Sequence, residues 1–273
     1  MPGSEPSKLP FENLSGGRVL GYTPRDPEPI HTARPSKGVE ISSLHSALLD
    51  DEALVISDLH LGLEGVLHMQ GVAVPRFQRG IMVPRIEALL RHYNPQRLIV
   101  NGDFKHNFSR NLDQEWREAR QMLQMLRDRT AVTLVKGNHD NYLDTMGQAA
   151  GVPVQPRVDL ERFALAHGHE DFDAQGRIAV VGHEHPSLVL RDAVGGRVQL
   201  PCFLASDEVL ALPAFSPLSS GTDITSSITG SGQHFTPIFE RVDTSRLRVW
   251  GVGEGELLDF RTLGELRGLG ASI

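Results

Sequence analysis

Five short apolar runs in this chain each end abruptly in glycine, aspartate, asparagine or histidine, and no other feature limits the fold as much. Residues 53–57 (ALVIS) lead into Asp58-Leu59-His60, and Arg97–Asn101 leads into Gly102-Asp103. Ala131–Val135 passes through Lys136 into Gly137-Asn138-His139-Asp140. Phe163–Ala166 is followed by His167-Gly168-His169, and Ile178–Val181 by Gly182-His183-Glu184-His185. Apolar runs of this length bounded by turn-forming residues read as buried strands. Helical patterns separate the first three. Phe77, Ile81, Ile86, Leu89 and Leu90 mark an amphipathic stretch, which Pro84 is expected to kink or divide into two shorter helices. Leu112, Trp116, Ala119, Leu123 and Leu126 recur at helical spacing and give a second helix one apolar face. The alternation of strand and helix specifies an α/β domain with a largely parallel central region. Domains of that kind build sites at the edge where parallel strands end.

Beyond residue 160 the texture changes. Strand-like runs at 188–190, 198–204, 209–212, 247–252 and 257–260 follow closely on one another with few helices between them. Residues 216–234 read as a long polar loop. One domain of two packed mixed sheets, with helices outside, accommodates this order better than two independent domains. Residues 1–38 are rich in Pro, Gly, Ser and charge and read as an irregular or disordered arm, which leaves 39–273 as the single domain. No internal repeat is visible.

Composition narrows the chemistry. The 273 residues are 40% hydrophobic and 22% charged, a globular balance. The one cysteine, Cys202, excludes an intrachain disulfide and a thiolate zinc site, and reads as a small apolar strand residue. Twelve histidines are present, so imidazole and carboxylate must hold any metal. The net charge of −7 argues against a globally basic nucleic-acid-binding surface, though not against a local basic groove. No apolar stretch approaches the ~18–20 residues that cross a membrane. The opening residues carry no apolar core flanked by basic residues. The expectation is a soluble, cytoplasmic protein without a membrane partner.

In Asp-x-His and His-x-His, residues two apart on an extended chain point to one side, so Asp58 with His60, and His183 with His185, can reach one ion together. Glycine before Asp103, Asn138 and His183 lets the backbone turn sharply and approach an ion or phosphate. Oxygen and imidazole donors without thiolate suit manganese, iron or zinc. Seven candidate ligands, Asp58, His60, Asp103, Asn138, His167, His183 and His185, are too many for one ion and sensible for two.

The ordered set Asp-x-His, Gly-Asp, Gly-Asn-His-Asp, His and Gly-His-x-His resembles the calcineurin-like metallophosphoesterase superfamily. Stretches 56–64 (ISDLHLGLE), 100–109 (VNGDFKHNFS) and 212–223 (LPAFSPLSSGTD) look similar to its SbcD-related branch of small phosphoesterases. The resemblance implies a four-layer α-β-β-α sandwich of two mixed sheets with a dinuclear metal centre between the sheet edges. It implies one ion on Asp58, His60 and His185, a second on Asn138, His167 and His183, and Asp103 bridging them. His139 would be the proton donor or phosphate contact beside the ions, with Asp140 orienting it. His106 and His169 are further substrate-binding or supporting candidates. Lys105 and Arg110 read as solvated loop charges. His31, His45, His68, His92 and His234 have no motif context.

The implied activity is hydrolysis of a phosphoester. Two ions about 3.5–4 Å apart lower the pKa of a bound water, whose hydroxide attacks phosphorus in line. A phosphodiesterase acting on nucleic acid or nucleotide diesters is the first reading, with manganese the expected metal. A small-molecule or nucleotide phosphomonoesterase is the alternative, and a non-catalytic scaffold on the same fold a third reading. The stretch from Gly102 to Phe108 carries no arginine, which sets it apart from the Gly-Asp-x-x-Asp-Arg-Gly pattern of the serine/threonine protein phosphatases.

Overall fold

The computed structural model describes residues 29–106, 113–191, 196–225 and 236–270. Seven strands form the first sheet: β1 (Thr32–Ser36), β2 (Val39–Ser42), β3 (Ser46–Leu49), β4 (Ala53–Ile56), β5 (Arg97–Asn101), β6 (Ala131–Val135) and β7 (Val154–Gln155). They lie side by side in sequence order, antiparallel as far as β4 and parallel from β4 to β7. The second sheet comprises β8 (Arg157–Asp159), β9 (Phe163–Ala166), β10 (Ile178–Val181), β11 (Pro186–Arg191), β12 (Arg197–Ala205), β13 (Val209–Ala211), β14 (Thr222–Asp223), β15 (Arg248–Gly253) and β16 (Glu256–Thr262). Its central strand β10 runs parallel to β9 on one side and β13 on the other.

Three apolar interfaces stack these elements into four layers. Between the sheets, Ile41, Leu49, Val55, Ile99 and Val135 share a core with Phe163, Leu165, Val180, Phe203 and Leu210. The alternate residues Leu54, Ile56, Leu98, Val100 and Leu134 pack outward against three helices, α2 (Gln78–Tyr93), α3 (Asp113–Arg127) and α4 (Leu143–Ala150). A shorter helix, α1 (Leu63–Met69), precedes them. On the far face of the second sheet, Val181, Cys202, Leu204 and Val249 are covered by Ile238, Phe239 and Leu263, which come from a 3₁₀ turn and α5 (Leu263–Gly270). Strands β4, β5, β9 and β10 are buried on both faces, which is why they appear in the sequence as unbroken apolar runs. Among the described residues no helix is long and apolar enough to cross a membrane.

Three expectations are corrected. Residues 1–38 are not all irregular arm: Thr32–Ser36 pairs antiparallel with β2 as an edge strand. Its Pro35 and poor burial hide it in the sequence, and edge strands are where proline is tolerated. Pro84 does not divide the helix: α2 continues through it. Pro84 and Gly80, whose carbonyl would have accepted the missing N–H, both lie on the exposed face, where that carbonyl is open to solvent. The polar stretch 216–234 is not wholly loop, because Thr222–Asp223 pairs parallel with β11 and Ile224 is buried. Arg110, Leu112, His234 and residues 226–234 of that stretch lie outside the described residues.

Candidate metal centre

Parallel pairing of β4, β5 and β6, with Ile56 beside Val100 and Asn101 beside Val135, brings three of the polar clusters to one sheet edge. β9 and β10 bring the other two to the facing edge of the second sheet. Each strand then turns back on itself. Asp58, His60, Asp103, His183 and His185 all adopt left-handed backbone, with φ of 54°, 47°, 26°, 47° and 45°. The side chains of Asp58 and His60 therefore converge through a turn and not through extended alternation, which ends with the strand, while His183 lies against His167 and His185 against Asp58 and His60. The first two turns run side by side: His60 N–H donates to the Asp103 carbonyl at 2.8 Å and Leu61 N–H to that of Phe104 at 3.0 Å. Two glycines permit the closest approaches. A Cβ on Gly102 would overlap the His167 ring, and one on Gly182 would overlap the Asp58 carboxylate and the Ser57 hydroxyl.

The donor atoms gather around two centres, His185 and His167, and Asp58 belongs with both: it lies with His60 and His185 in one cluster and with Asp103 and His167 in another. At the first centre, His185 Nε2 lies 3.4 Å from Asp58 Oδ2 and 3.5 Å from His60 Nε2. At the second, His167 Nε2 lies 2.9 Å from Asn138 Oδ1 and 3.2 Å from His183 Nδ1. Asp103 Oδ2 is 3.8 Å from His60 Nε2 and 3.4 Å from His167 Nε2. Metal–donor bonds of about 2.0–2.2 Å place neighbouring ligand atoms roughly 3–3.6 Å apart, so the spacings around His185 and His167 fit divalent cations, while the 3.8 Å between Asp103 Oδ2 and His60 Nε2 lies outside that range. Two deeply buried donors, Asp58 Oδ1 and His167 Nδ1, have no hydrogen-bond partner although they lie 3.4 Å apart. The chain thus holds His/Asp clusters able to bind metal.

The electrostatics agree with that capacity. Burial depresses His60 to about 3 and His183 to about 4, the second aided by neighbouring His167. Both imidazoles are neutral and ready to donate a lone pair. Burial alone would raise Asp58, but His185 and His167 hold it well below the usual carboxylate range. His167 shows the reverse balance: burial opposes its charge, yet Asp58 and Asp103 raise it to about 9.

His139 sits beside Asp103 with its Nε2 3.8 Å from Asp103 Oδ2, and its backbone N–H donates to Asp103 Oδ1 at 2.9 Å. The other ring nitrogen, Nδ1, lies 2.6 Å from the His106 carbonyl. That carbonyl is a hydrogen-bond partner of the His139 ring. Asp140 is fully buried and accepts backbone N–H bonds from Gly137, Phe104 and Lys105 at 2.9–3.2 Å, so it ties the Asn138–His139 turn to the Asp103 turn. Burial and the charge of Asp103 push its carboxyl up to about 7 against those bonds. His106 Nδ1 lies 3.2 Å from His60 Nδ1, and the His106 and His139 rings stack with centroids 5.1 Å apart. His169 is more peripheral, tilted against His167 at 5.1 Å.

The sequence does not reveal three of the supporting groups. Lys105 is 1% exposed and is not a solvated charge: its Nζ is 3.5 Å from Glu115 of α3 and donates to the His139 carbonyl at 3.1 Å. Gln78 and Ser216, both buried, bond to one another behind the Asp58–His60 turn. Polar residues of this kind resemble surface residues until the partner is known.

A two-sheet α/β sandwich with a buried histidine and carboxylate cluster between its sheet edges defines a metal-binding hydrolase. The family model for calcineurin-like phosphoesterases matches residues 53–196, which spans every motif above, and the chain belongs to that family. It is accordingly an enzyme that hydrolyses phosphoester bonds. Among solved structures, the nuclease MPE of Pseudomonas putida is similar with a TM-score of 0.61 and 23% identity, covering 84% of this chain and 100% of the other, and shares the fold. The phosphoesterase Yfce of E. coli aligns with a TM-score of 0.35 and 17% identity, covering 74% of this chain and 88% of the other. No curated protein sequence matches the chain.

Proposed function

We propose that the chain is a dinuclear, manganese-dependent phosphodiesterase acting on nucleic-acid or nucleotide diesters. The observation that carries the two-ion reading is the position of Asp103 Oδ2, 3.8 Å from His60 Nε2 in one donor group and 3.4 Å from His167 Nε2 in the other. Asp58, His60 and His185 hold one ion, Asn138, His167 and His183 the other, and Asp103 bridges. The ions supply Lewis-acid activation of water and of the phosphoryl oxygens. His139 gives a proton to the departing oxygen from Nε2, while its Nδ1–H donates to the His106 carbonyl and fixes the ring. His106 contacts the substrate, a role supported by the packing of its ring against those of His60 and His139. Manganese suits a mixed carboxylate, amide and imidazole set without thiolate; iron and zinc are the alternatives.

A diester is favoured over a monoester by the fate of Lys105. It is the one Lys or Arg between Gly102 and Phe108, and it is directed at Glu115 and the His139 carbonyl instead of a terminal phosphate. An alkoxide leaving group, from a diester or a monoester alike, requires the proton that His139 provides. With manganese, kcat/KM is expected to favour an aryl phosphodiester over the matching monoester by about tenfold or more, on the order of 1.4 kcal/mol in the barrier. Cyclic nucleotides and single- and double-stranded DNA in the same panel separate nucleotide from nucleic-acid substrates. Hydrolysis of the monoester alone would overturn the reading.

Metal loading is also expected to release a proton. His167 is held charged to about pH 9 between Asp58 and Asp103, and an ion must displace that proton to bind Nε2. Protons compete below that value, so apparent affinity should rise with pH, by up to about tenfold per unit over roughly pH 6–8. Calorimetry in two buffers of different ionisation heat measures the release; an affinity independent of pH, with an apparent enthalpy independent of the buffer, would show that His167 does not ligate.

A further inference from the structure

Residues 212–224 supply no candidate ligand, yet they bind the backbone of both turns that carry Asp58, His60 and His185. Leu212 N–H donates to Val181, Phe215 N–H to the Ser57 carbonyl at 2.7 Å, and Ser216 N–H to that of Asp58 at 3.2 Å. Further along, Thr222 N–H reaches the carbonyls of Glu184 and His185, and Ile224 N–H that of Ser187. One segment therefore joins the ligand turn of the first sheet to the ligand turn of the second.

Gln78 completes the arrangement. It is 2% exposed, and its Nε2 lies 2.9 Å from the Leu59 carbonyl, 3.0 Å from that of His60 and 2.9 Å from Ser216 Oγ. Its backbone is fixed in turn by buried Glu64, whose Oε1 accepts the N–H of Phe77 at 2.6 Å and of Gln78 at 2.7 Å. The Asp58–His60 turn needs such anchoring. Two of its three residues are left-handed, a conformation that persists only where the surroundings over-determine it. Among the described residues, the bonds of the Gln78 and Ser216 side chains run to this turn, to each other and to Leu218, not to Asn138, His167 or His183.

We propose that Gln78 and Ser216 are positioning residues that set the geometry of the Asp58–His60–His185 group, and hence the affinity for the ion held there, without governing the ion on Asn138, His167 and His183. This rests on the two-ion reading above. The test is manganese titration of the metal-stripped full chain by calorimetry, with bound metal counted by mass spectrometry after desalting. Wild type, Gln78→Leu and Ser216→Ala are compared. Gln78→Leu is expected to weaken one of two sites by about 10–100-fold, the range for groups that orient a ligand, and to leave the other unchanged. Ser216→Ala removes a single oxygen, carries the test if Gln78→Leu does not fold, and is expected to weaken the same site by about tenfold. A wild type that binds fewer than two ions would overturn the two-ion reading itself. A wild type with two ions and variants with both affinities unchanged, or with both lost together, would overturn the positioning role while leaving the two-ion reading standing.

Discussion

Asp103→Asn is expected to leave the purified protein with at most one bound ion and to lower kcat/KM by about 1000-fold or more, on the order of 4 kcal/mol. The amide keeps the size of the side chain and one acceptor oxygen but removes the negative charge that the two donor groups share. The change falls where it cannot be compensated. Asp103 is 2% exposed, its Oδ1 accepts the His139 N–H at 2.9 Å and its Oδ2 faces His60, His139 and His167. Metal content and steady-state rates on one preparation check the result. Two ions and wild-type turnover in Asp103→Asn would remove the bridging role.

His139→Ala should behave differently: both ions stay, KM changes little and kcat falls by roughly 10²–10⁴-fold, the range for loss of a general acid. The leaving group provides a sharper reading. A nitrophenyl diester expels a phenolate that leaves without help, so its hydrolysis should suffer much less than that of an alkyl or nucleoside diester. Equal losses on both substrates would mean that His139 does not donate the proton, and loss of an ion would make it a ligand. Some of the effect passes through the backbone, since the His139 N–H holds Asp103; alanine retains that group, which isolates the ring.

How much of this was legible in the sequence depends on burial. Strands β5, β6, β9 and β10 occupy the residues that the apolar runs delimit, because strands covered on both faces, as β5, β9 and β10 are, read as near-continuous apolar runs. Strands β2 and β3 are four residues long and β14 only two, so the alternation of VEIS and the apolar residues of SALL are too short to announce a strand. At the site, the motifs were legible because their residue types are scarce and crowd the strand ends, and the fold does bring those clusters to one edge. Their backbone was not legible: the spacing of Asp58 and His60 fits an extended chain and a left-handed turn equally well. Gln78 and Ser216 are 138 residues apart, and Lys105 meets Glu115 of the following helix α3. A polar residue whose partner lies that far away carries no local mark of being buried.

The five left-handed positions proposed as ligands also bear on which residues could ever occupy them. Each non-glycine residue in that region costs on the order of 1–3 kcal/mol, and a typical domain's whole stability is only about 5–15 kcal/mol. Glycine would relieve the cost but offers no donor atom. Glutamate and cysteine offer donors, yet aspartate, asparagine and histidine are the side chains most often found at positive φ. The vocabulary of Asp58, His60, Asp103, His183 and His185 is thus narrowed twice, by what a cation accepts and by what the peptide chain tolerates. Substitutions at these places that look conservative in ligand chemistry, such as Asp58→Glu, face a conformational barrier before any question of metal arises.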